Sequence, residues 1–224
     1  MRIYYQHVAG HSLERLAALS DGIFAVAITL LVLDIRVPAS QALHVPEQVQ
    51  ALWQSGAITQ EQALWHALAP LAPNVLAYLM SFLTLGIFWV GQQTQLNNLE
   101  RSDRHLTWMN LTFLLAVTLM PFSTALLAAF ITIRLALVVY WLNLLLLGVM
   151  LLVSWRYAQR AGLIKKDTTP ELLAAVERRI VVFQVLYALA VALCVINTYI
   201  SIAVIVLLQL DSAIAPRVFP LDRF

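Results

Sequence analysis

The sequence is poor in the residues on which soluble folds and most enzymes depend. Of its 224 residues only 12% are charged, cysteine occurs once and glycine occurs seven times. The single cysteine, Cys194, excludes an intrachain disulfide. The glycines form no phosphate-binding loop, no paired cysteines mark a metal motif, and no serine lies in a nucleophile elbow. The common nucleotide, zinc and hydrolase motifs are therefore excluded.

Histidine is also scarce and dispersed. All five histidines fall in predicted terminal, loop or interfacial positions, which disfavours metal ligation and acid–base catalysis; they are His7, His11, His44, His66 and His105. We therefore expect a protein that is not an enzyme and that holds no resident metal or cofactor.

Apolar residues make up 61% of the chain and the mean hydropathy is +0.80, well above the roughly 45–50% apolar content of soluble domains. Membrane-length apolar runs predict an all-α, polytopic membrane protein with one domain over residues 1–224. The last two runs are short and nearly continuous, so we expect a hairpin that turns near Asn197. The six predicted spans are 18–37, 71–91, 106–128, 133–155, 180–196 and 198–214.

The cations predict how the chain is oriented. With the N-terminus inside, twelve of the 14 lysines and arginines lie on the cytoplasmic side, and only Arg36 and Arg134 lie outside. This bias predicts a multi-pass protein of the cell inner (plasma) membrane with both termini in the cytoplasm. The net charge of +2 comes from this asymmetry, so no nucleic-acid partner is expected. The basic segment 156–179 is either a solvated loop or a contact with anionic headgroups.

The longest connection, residues 38–70, is predicted to be extracellular and to contain two short helices. Pro46 and Gly56 suit the start and end of the first helix, and Thr59 with Gln62 resembles a capping box for the second. Trp53 and Trp65 suit the membrane interface; a lid over a vestibule is the alternative.

The first span contains the most informative pattern. On an ideal helix six residues lie on one stripe, within roughly 60° of the direction of Arg15, and they combine a small residue, a hydroxyl and apolar groups between two cations: Arg15, Gly22, Val26, Thr29, Leu33 and Arg36. This stripe could line a narrow pore. Alternatively, Thr29 satisfies itself by bonding the carbonyl of Ala25 within the helix.

Arg15 and Asp21 are six residues apart and cannot pair across one helix turn. Because charge within a span usually needs a partner, a buried lock at the cytoplasmic end is one interpretation, and snorkelling of Arg15 to headgroups is the other. In the third span, Pro121 is expected to bend the helix or mark a packing contact rather than act as a gate. Candidate lock partners on the second and third spans are Gln92, Gln93, Thr94, Asn97, Asp103, Arg104, Trp108 and Asn110.

The segment from Arg15 to Thr29 resembles the Arg-x-x-x-Phe-Ser-Asp signature of the lysosomal potassium channel family, transmembrane protein 175, and its prokaryotic relatives. Supporting stretches are Ser81-Phe82, Phe88-Trp89, 108–111 and 120–122. The resemblance covers the first three spans by motif and the rest by topology. Leu19 stands where the motif has phenylalanine, and Gln92 and Gln93 stand where many relatives carry histidine.

The resemblance implies a non-canonical channel of six-helix subunits, a homotetramer in the bilayer with the first helix of each subunit around a central pore. It implies a leak channel permeable to potassium, the permeating ion, without a carbonyl filter. It places an apolar constriction at Val26, a hydroxyl ring at Thr29 and further lining at Leu30 and Leu33. At the cytoplasmic end, Arg15, Ser20 and Asp21 would form the structural lock.

Two rival functions remain open from the sequence. A proton-coupled or small-solute transporter would use Asp21 as its carrier carboxylate, although the first span has no proline or midpoint glycine to break it, as transporter helices often have. A non-conducting membrane scaffold would need only helix packing.

Overall fold

The computed structural model describes residues 12–36 and 60–214, and these residues are almost wholly helical. Within the described ranges, three short 3-10 segments cover Val32–Asp34, Ala69–Leu71 and Leu193–Val195. The α-helices are α1 (Leu13–Leu31), α2 (Gln60–Leu68), α3 (Ala72–Asn97), α4 (Arg104–Thr118), α5 (Met120–Ala129), α6 (Arg134–Arg160), α7 (Pro170–Ala192) and α8 (Thr198–Ile214).

Within residues 12–36 and 60–214, five helical stretches are long and apolar enough to cross a membrane: Leu13–Asp34, Leu64–Asn97, Arg104–Ala129, Arg134–Arg160 and Pro170–Val195. The sixth predicted span coincides with α8, which is apolar but has only 17 residues. At 1.5 Å per residue α8 is about 25 Å long, slightly less than the roughly 30 Å hydrocarbon core. The expected all-helical, polytopic fold is confirmed, and the turn before α8 lies at Asn197 as predicted.

The helices extend beyond the apolar runs because capping residues, rather than hydropathy, determine where they start. Ser12 caps α1 by accepting a hydrogen bond from the amide of Arg15 at 3.3 Å, so α1 starts five residues before the predicted span. Thr169 caps α7 in the same way through the amide of Leu172, ten residues ahead of prediction. These polar first turns leave Glu14 and Glu171 near helix N-termini, where a negative charge is favourable.

The third span is interrupted at Leu119, two residues before Pro121. Proline has no amide hydrogen and its ring crowds the carbonyl four residues back. Accordingly α4 ends at Thr118 and α5 starts at Met120, with the amide of Leu119 still bonded to Leu115 at 3.2 Å. Pro121 thus breaks the helix at mid-span, in line with the bend expected there.

The predicted extracellular connection lies only partly within the described residues. The first expected helix, Trp53 and the capping Thr59 fall outside them. The second expected helix is α2, and the 3-10 turn containing Pro70 joins it directly to α3. Trp65 is 73% exposed, as an interfacial tryptophan would be in a chain without its bilayer.

The helices pack in a bundle in which α3 and α6 touch most of the others. Helix α1 lies against α3, α4 and α5, while α6 contacts α4, α5 and α7, and α8 closes against α3 and α7. The apolar core runs from Phe24 of α1 through Phe113 and Leu137 to Ile205 of α8. One side of α1 therefore faces the bundle and the other side faces away from it.

A buried cluster of hydroxyl and amide groups joins four helices in the interior. The Tyr140 hydroxyl lies 3.2 Å from Thr84 Oγ1 and 3.4 Å from Ser81 Oγ, and Gln209 Nε2 donates to Thr84 Oγ1 at 2.7 Å. Thr124 on α5 reaches Ser81 at 2.6 Å. Because a bilayer offers no water to these groups, their hydroxyls bond one another across α3, α5, α6 and α8, although Gln209 Oε1 has no partner among the described residues.

At the end rich in arginine and lysine, two loops are hydrogen-bonded to each other. Gly162 follows α6 with φ of 63°, the left-handed conformation that glycine adopts without steric cost. After this turn, Leu99 and Ile164 form an antiparallel β-bridge. The amide of Glu100 donates to the carbonyl of Leu163 at 2.9 Å, and the amide of Lys165 donates to the carbonyl of Asn98 at 3.0 Å. These hydrogen bonds hold the α3–α4 loop against the α6–α7 loop.

Replacing Tyr140 by phenylalanine should lower the free energy of unfolding by about 0.5–1.5 kcal/mol, because Ser81 and Thr84 lose a buried partner. Thermal unfolding in detergent, followed by circular dichroism, measures the change. Tyr199→Phe is the matched control, since Tyr199 is 55% exposed. Equal midpoints for the two variants would show that the cluster contributes nothing to stability.

Candidate pore helix and its polar anchor

Helix α1 has one buried face and one exposed face. Its buried residues are Leu16, Ser20, Phe24, Ala27 and Leu31, which recur at the spacing of one helix face. Phe24 lies 6.0 Å from Phe113 of α4 between ring centroids. The packing against α3, α4 and α5 therefore sets the rotation of α1 about its own axis.

The sequence-predicted stripe lies on the opposite, exposed face. Val26 is 57% exposed and Leu33 is 66% exposed, and Gly22 and Thr29 are exposed between and beside them. Leu30 is also exposed, at 44%. The four residues expected to line a pore are thus all on the free side of α1, where an isolated chain has nothing to cover them.

Thr29 bonds within its own helix, but not to the residue that the sequence suggested. Its Oγ1 donates to the carbonyl of Val26, three residues back, at 2.8 Å, and not to Ala25. The only hydrogen of the hydroxyl is used in this bond, so both lone pairs of Oγ1 remain free. Thr29 is exposed, which leaves those lone pairs accessible from outside the subunit.

A groove runs beside the stripe at the point where α4 ends and α5 begins. Its volume is about 420 Å³, and it is lined by α1 residues from Ala18 to Leu30 together with Thr118 and Pro121. The break at Leu119 places these two residues next to α1. The groove and the stripe form one continuous apolar surface.

Ser20 is the centre of a buried polar contact that ties α1 to α3 and α4. Its Oγ donates to Leu16 at 2.8 Å and accepts from Gln92 Nε2 at 3.1 Å and from Asn110 Nδ2 at 3.2 Å. Gln92 Nε2 also donates to Asn110 Oδ1 at 2.6 Å. The serine hydroxyl thus uses its one hydrogen and both lone pairs, and Ser20, Gln92 and Asn110 are all buried.

Asp21, the next residue, bonds two side chains of α3. Its Oδ1 accepts from Trp89 Nε1 at 2.8 Å and from Gln93 Nε2 at 2.6 Å. Such bonds to an ionised acceptor are roughly twice as strong as neutral ones. We call Ser20 and Asp21, with Trp89, Gln92, Gln93 and Asn110, the polar anchor of α1.

Arg15 stands apart from the polar anchor. Its side chain is exposed, and its guanidinium makes no hydrogen bond or ion pair with a described residue. Within the single chain this favours the alternative in which Arg15 extends to headgroups or water. Its part in a lock stays a prediction.

Three of the polar-anchor residues were among the candidate partners proposed from the sequence, and one was missed. Gln92, Gln93 and Asn110 lie where their depth in the spans suggested. Trp89 was not considered as a partner of Asp21, although an indole N–H four residues before Gln93 shares its helix face and could have been included. In the described part of the chain no group of three or more His, Cys, Asp or Glu side chains could hold a metal ion.

Ser20→Ala should lower the free energy of unfolding by about 1–3 kcal/mol, because one buried N–H of Gln92 and one of Asn110 lose the serine oxygen as their acceptor. Thr112→Ala, which removes an exposed hydroxyl bonded only within α4, is the control and should change stability little. Chemical denaturation in mixed micelles compares the two. A Ser20→Ala protein as stable as the control variant would contradict the role of the anchor.

Known proteins resemble this chain in both sequence and fold. The family model described as endosomal/lysosomal potassium channel TMEM175 matches residues 15–121. A potassium channel of Streptomyces collinus is 34% identical over 152 residues, which are 66% of this chain and 65% of that one. The Gallus gallus protein named endosomal/lysosomal proton channel TMEM175 is 29% identical over 119 residues, and the chain covers 22% of it.

A relative from Chamaesiphon minutus is similar along nearly its whole length. This potassium channel is 31% identical over 204 residues, which are 89% of the present chain and 93% of the relative. The crystal structure of the lysosomal potassium-selective channel TMEM175 homolog from Chamaesiphon minutus superposes with a TM-score of 0.72 at 28% identity, covering 92% of this chain and 98% of that one. The chain therefore belongs to the TMEM175 family, whose members are ion channels and not enzymes.

Proposed function

We propose that the protein is a potassium-permeable leak channel in which four copies of α1 surround a central pore. The observation that carries this proposal is the exposed stripe of α1. One face of this helix is packed against its neighbours, and the other face presents branched apolar groups and a hydroxyl oxygen whose lone pairs are free. A closed four-fold ring would bring four stripes to one axis. The groove beside Thr118 and Pro121 would receive the neighbouring subunit.

Val26 forms the constriction in this arrangement. Four isopropyl groups facing an axis offer a hydrated ion no replacement for its water, so the ring sets a dehydration barrier and can close by dewetting. Leu30 and Leu33 continue the apolar lining further from the basic end of the helix. Selection for potassium over sodium follows from the lower cost of removing water from the larger ion.

Thr29 supplies the polar step beyond the constriction. It lies three residues from Val26, or about 4.5 Å along the helix axis. Since its hydrogen is donated to Val26, the hydroxyl oxygen can present lone pairs to a cation. Four such oxygens would partly replace the water lost at Val26.

The basic loops support a cytoplasmic location for both termini. On that assignment, the polar anchor lies on the cytoplasmic side of the constriction, and α2 lies on the outer side. Ions leaving the cell would pass Asp21 before Val26 and Thr29.

Reconstitution into vesicles tests the function most directly. Flux under a potassium gradient, followed with a proton-sensitive dye, and recorded current together separate four outcomes. Passive potassium current supports the proposal. Saturable turnover without unitary current indicates a transporter that uses Asp21, and the absence of flux indicates a scaffold. Proton current that persists without potassium would favour the activity for which the vertebrate relatives are named. The mass of the solubilised oligomer tests the tetramer.

Thr29→Val should reduce potassium-over-sodium selection while the tetramer still forms, because valine keeps the branched shape and removes the oxygen. Reversal potentials under bi-ionic conditions measure the change. Thr112→Val on α4 is a matched control that removes another exposed intrahelical hydroxyl, outside the groove. Unchanged reversal potentials in Thr29→Val would assign Thr29 to helix self-bonding alone.

Val26→Ala or Val26→Asn should raise basal current and weaken selectivity, whereas Val26→Leu should reduce conductance, because the barrier depends on ring width and polarity. In a Cys194→Ser background, a thiol reagent should block current through Val26→Cys. Ala27→Cys is the neighbouring control, since Ala27 is 2% exposed and faces the core. Block of Ala27→Cys without block of Val26→Cys would mean that another stripe of α1 lines the pore.

A further inference from the structure

An unfilled cavity lies between α3 and the last two helices. It has a volume of about 520 Å³ and is lined by α3 between Phe82 and Thr94, by α7 between Val176 and Tyr187, and by Ser212 and Ala213 of α8. No residue of α1 lines it, so it is separate from the exposed stripe and from the groove beside α4 and α5. The cavity has no part in the proposed pore.

The cavity lies in the half of the bundle that carries the basic loops. Its α3 wall ends near Asn97, close to Arg101 and Arg104, and its α7 wall follows Lys165 and Lys166. Thr94 and Phe82 are twelve residues apart on α3, or about 18 Å along the helix. That distance matches one leaflet of a hydrocarbon core about 30 Å thick.

The charge and most of the apolar lining are separated along this length. Arg179, the one charged residue of the lining, lies with Thr94 and Ser212 toward the basic end of the cavity. Phe82, Leu83 and Ile87 lie further in, together with Gln184, whose amide donates to the carbonyl of Leu144 at 3.2 Å. A charged end and a mainly apolar interior suit a molecule with an anionic head and an apolar tail.

Arg179 gives the polar end a positive charge that no described acidic side chain neutralises. Its Nη2 lies 3.4 Å from Ser212 Oγ, and its Cζ lies 5.9 Å from the centroid of the Phe183 ring. Among the described residues the ion pair at this end joins Arg156 to Glu177 instead. A planar guanidinium held between a hydroxyl and an aromatic ring is suited to bind a phosphate with two hydrogen bonds.

We propose that this cavity binds an anionic phospholipid of the leaflet at the basic end of the bundle. Its phosphate would contact Arg179 and Ser212, and one acyl chain would lie along α3 toward Phe82. The bilayer supplies such lipids at this depth, and the positive charge of the surrounding loops would concentrate them there.

The lipid would also contact a residue of the polar anchor. Trp89 lines the cavity and donates its indole N–H to Asp21 of α1 at 2.8 Å. A filled cavity would restrain the Trp89 ring and so support α1 from the side opposite the pore. In this respect the inference rests on the proposed function, and we expect potassium flux to rise with occupancy of the cavity.

Native mass spectrometry of the purified protein, taken from nanodiscs that contain phosphatidylglycerol, tests the binding. Wild-type protein should retain phosphatidylglycerol and not phosphatidylcholine. Arg179→Gln should retain about fivefold less, the effect of removing one cation from a contact with anionic lipid. Lys166→Gln, an exposed cation of the same end outside the cavity lining, is the matched control and should retain it as the wild type does.

Gly86→Leu provides a second variant that blocks the tail instead of the head. A Cβ at Gly86 would meet no atom within 4 Å, so the larger side chain can enter the cavity without disturbing the helices. It should also reduce lipid retention, with an unchanged unfolding midpoint.

Three results would overturn the proposal. The first is that Arg179→Gln retains as much phosphatidylglycerol as the wild type. The second is that the wild type retains phosphatidylcholine as well as it retains phosphatidylglycerol. The third is efficient disulfide cross-linking between subunits through Leu83→Cys in a Cys194→Ser background, which would show that a second copy fills the cavity. Because retention is measured without ion flux, failure of the channel proposal would leave this test intact.

Discussion

The position of α1 depends on the hydrogen bonds that join Ser20 to Gln92 and Asn110. In a bilayer, apolar side chains gain little by leaving lipid for a neighbouring helix, so hydrogen bonds and close packing must hold helices together. Helix α1 has fewer buried residues than the third span, 28% against 50% over their most apolar windows. A helix with so little packing area needs a directional contact to fix its rotation, and Ser20 supplies it.

The break beside Pro121 separates two polar contacts of the third span. Asn110 of α4 donates to Ser20 of α1, whereas Thr124 of α5 donates to Ser81 of the buried cluster on α3. Thr118 and Pro121 remain beside α1 as the wall of the open groove. Pro121 thus lies at the break and also lines the groove.

Much of this arrangement could be predicted from the sequence because it follows from local periodicity. Apolar runs indicated the helices, the 100° spacing placed Val26, Thr29 and Leu33 on one face, and depth alone identified Gln92 and Asn110 as partners. What could not be predicted depends on contacts between distant segments. In the sequence, Ser81, Thr84, Tyr140 and Gln209 are isolated polar residues within apolar runs, and nothing indicates that they form one cluster. The cavity at Arg179 exists only once α3, α7 and α8 are assembled. Helix ends were misplaced where caps such as Ser12 and Thr169 lie beyond the apolar residues.

An apolar constriction imposes a stricter requirement on helix rotation than a carbonyl filter does. In the proposed pore, rotation of α1 by one residue in either direction, or about 100°, would replace Val26 at the axis with Ala25 or Ala27 and widen the ring. The polar anchor contacts α1 at residues 20 and 21, only five or six residues from Val26, or about 8–9 Å along the axis. Over so short a distance a hydrogen-bonded helix transmits rotation with little twist. In the proposed pore, the side chains that fix Ser20 and Asp21 would therefore determine which residue faces the ion, although none of those on α3 and α4 would need to touch it.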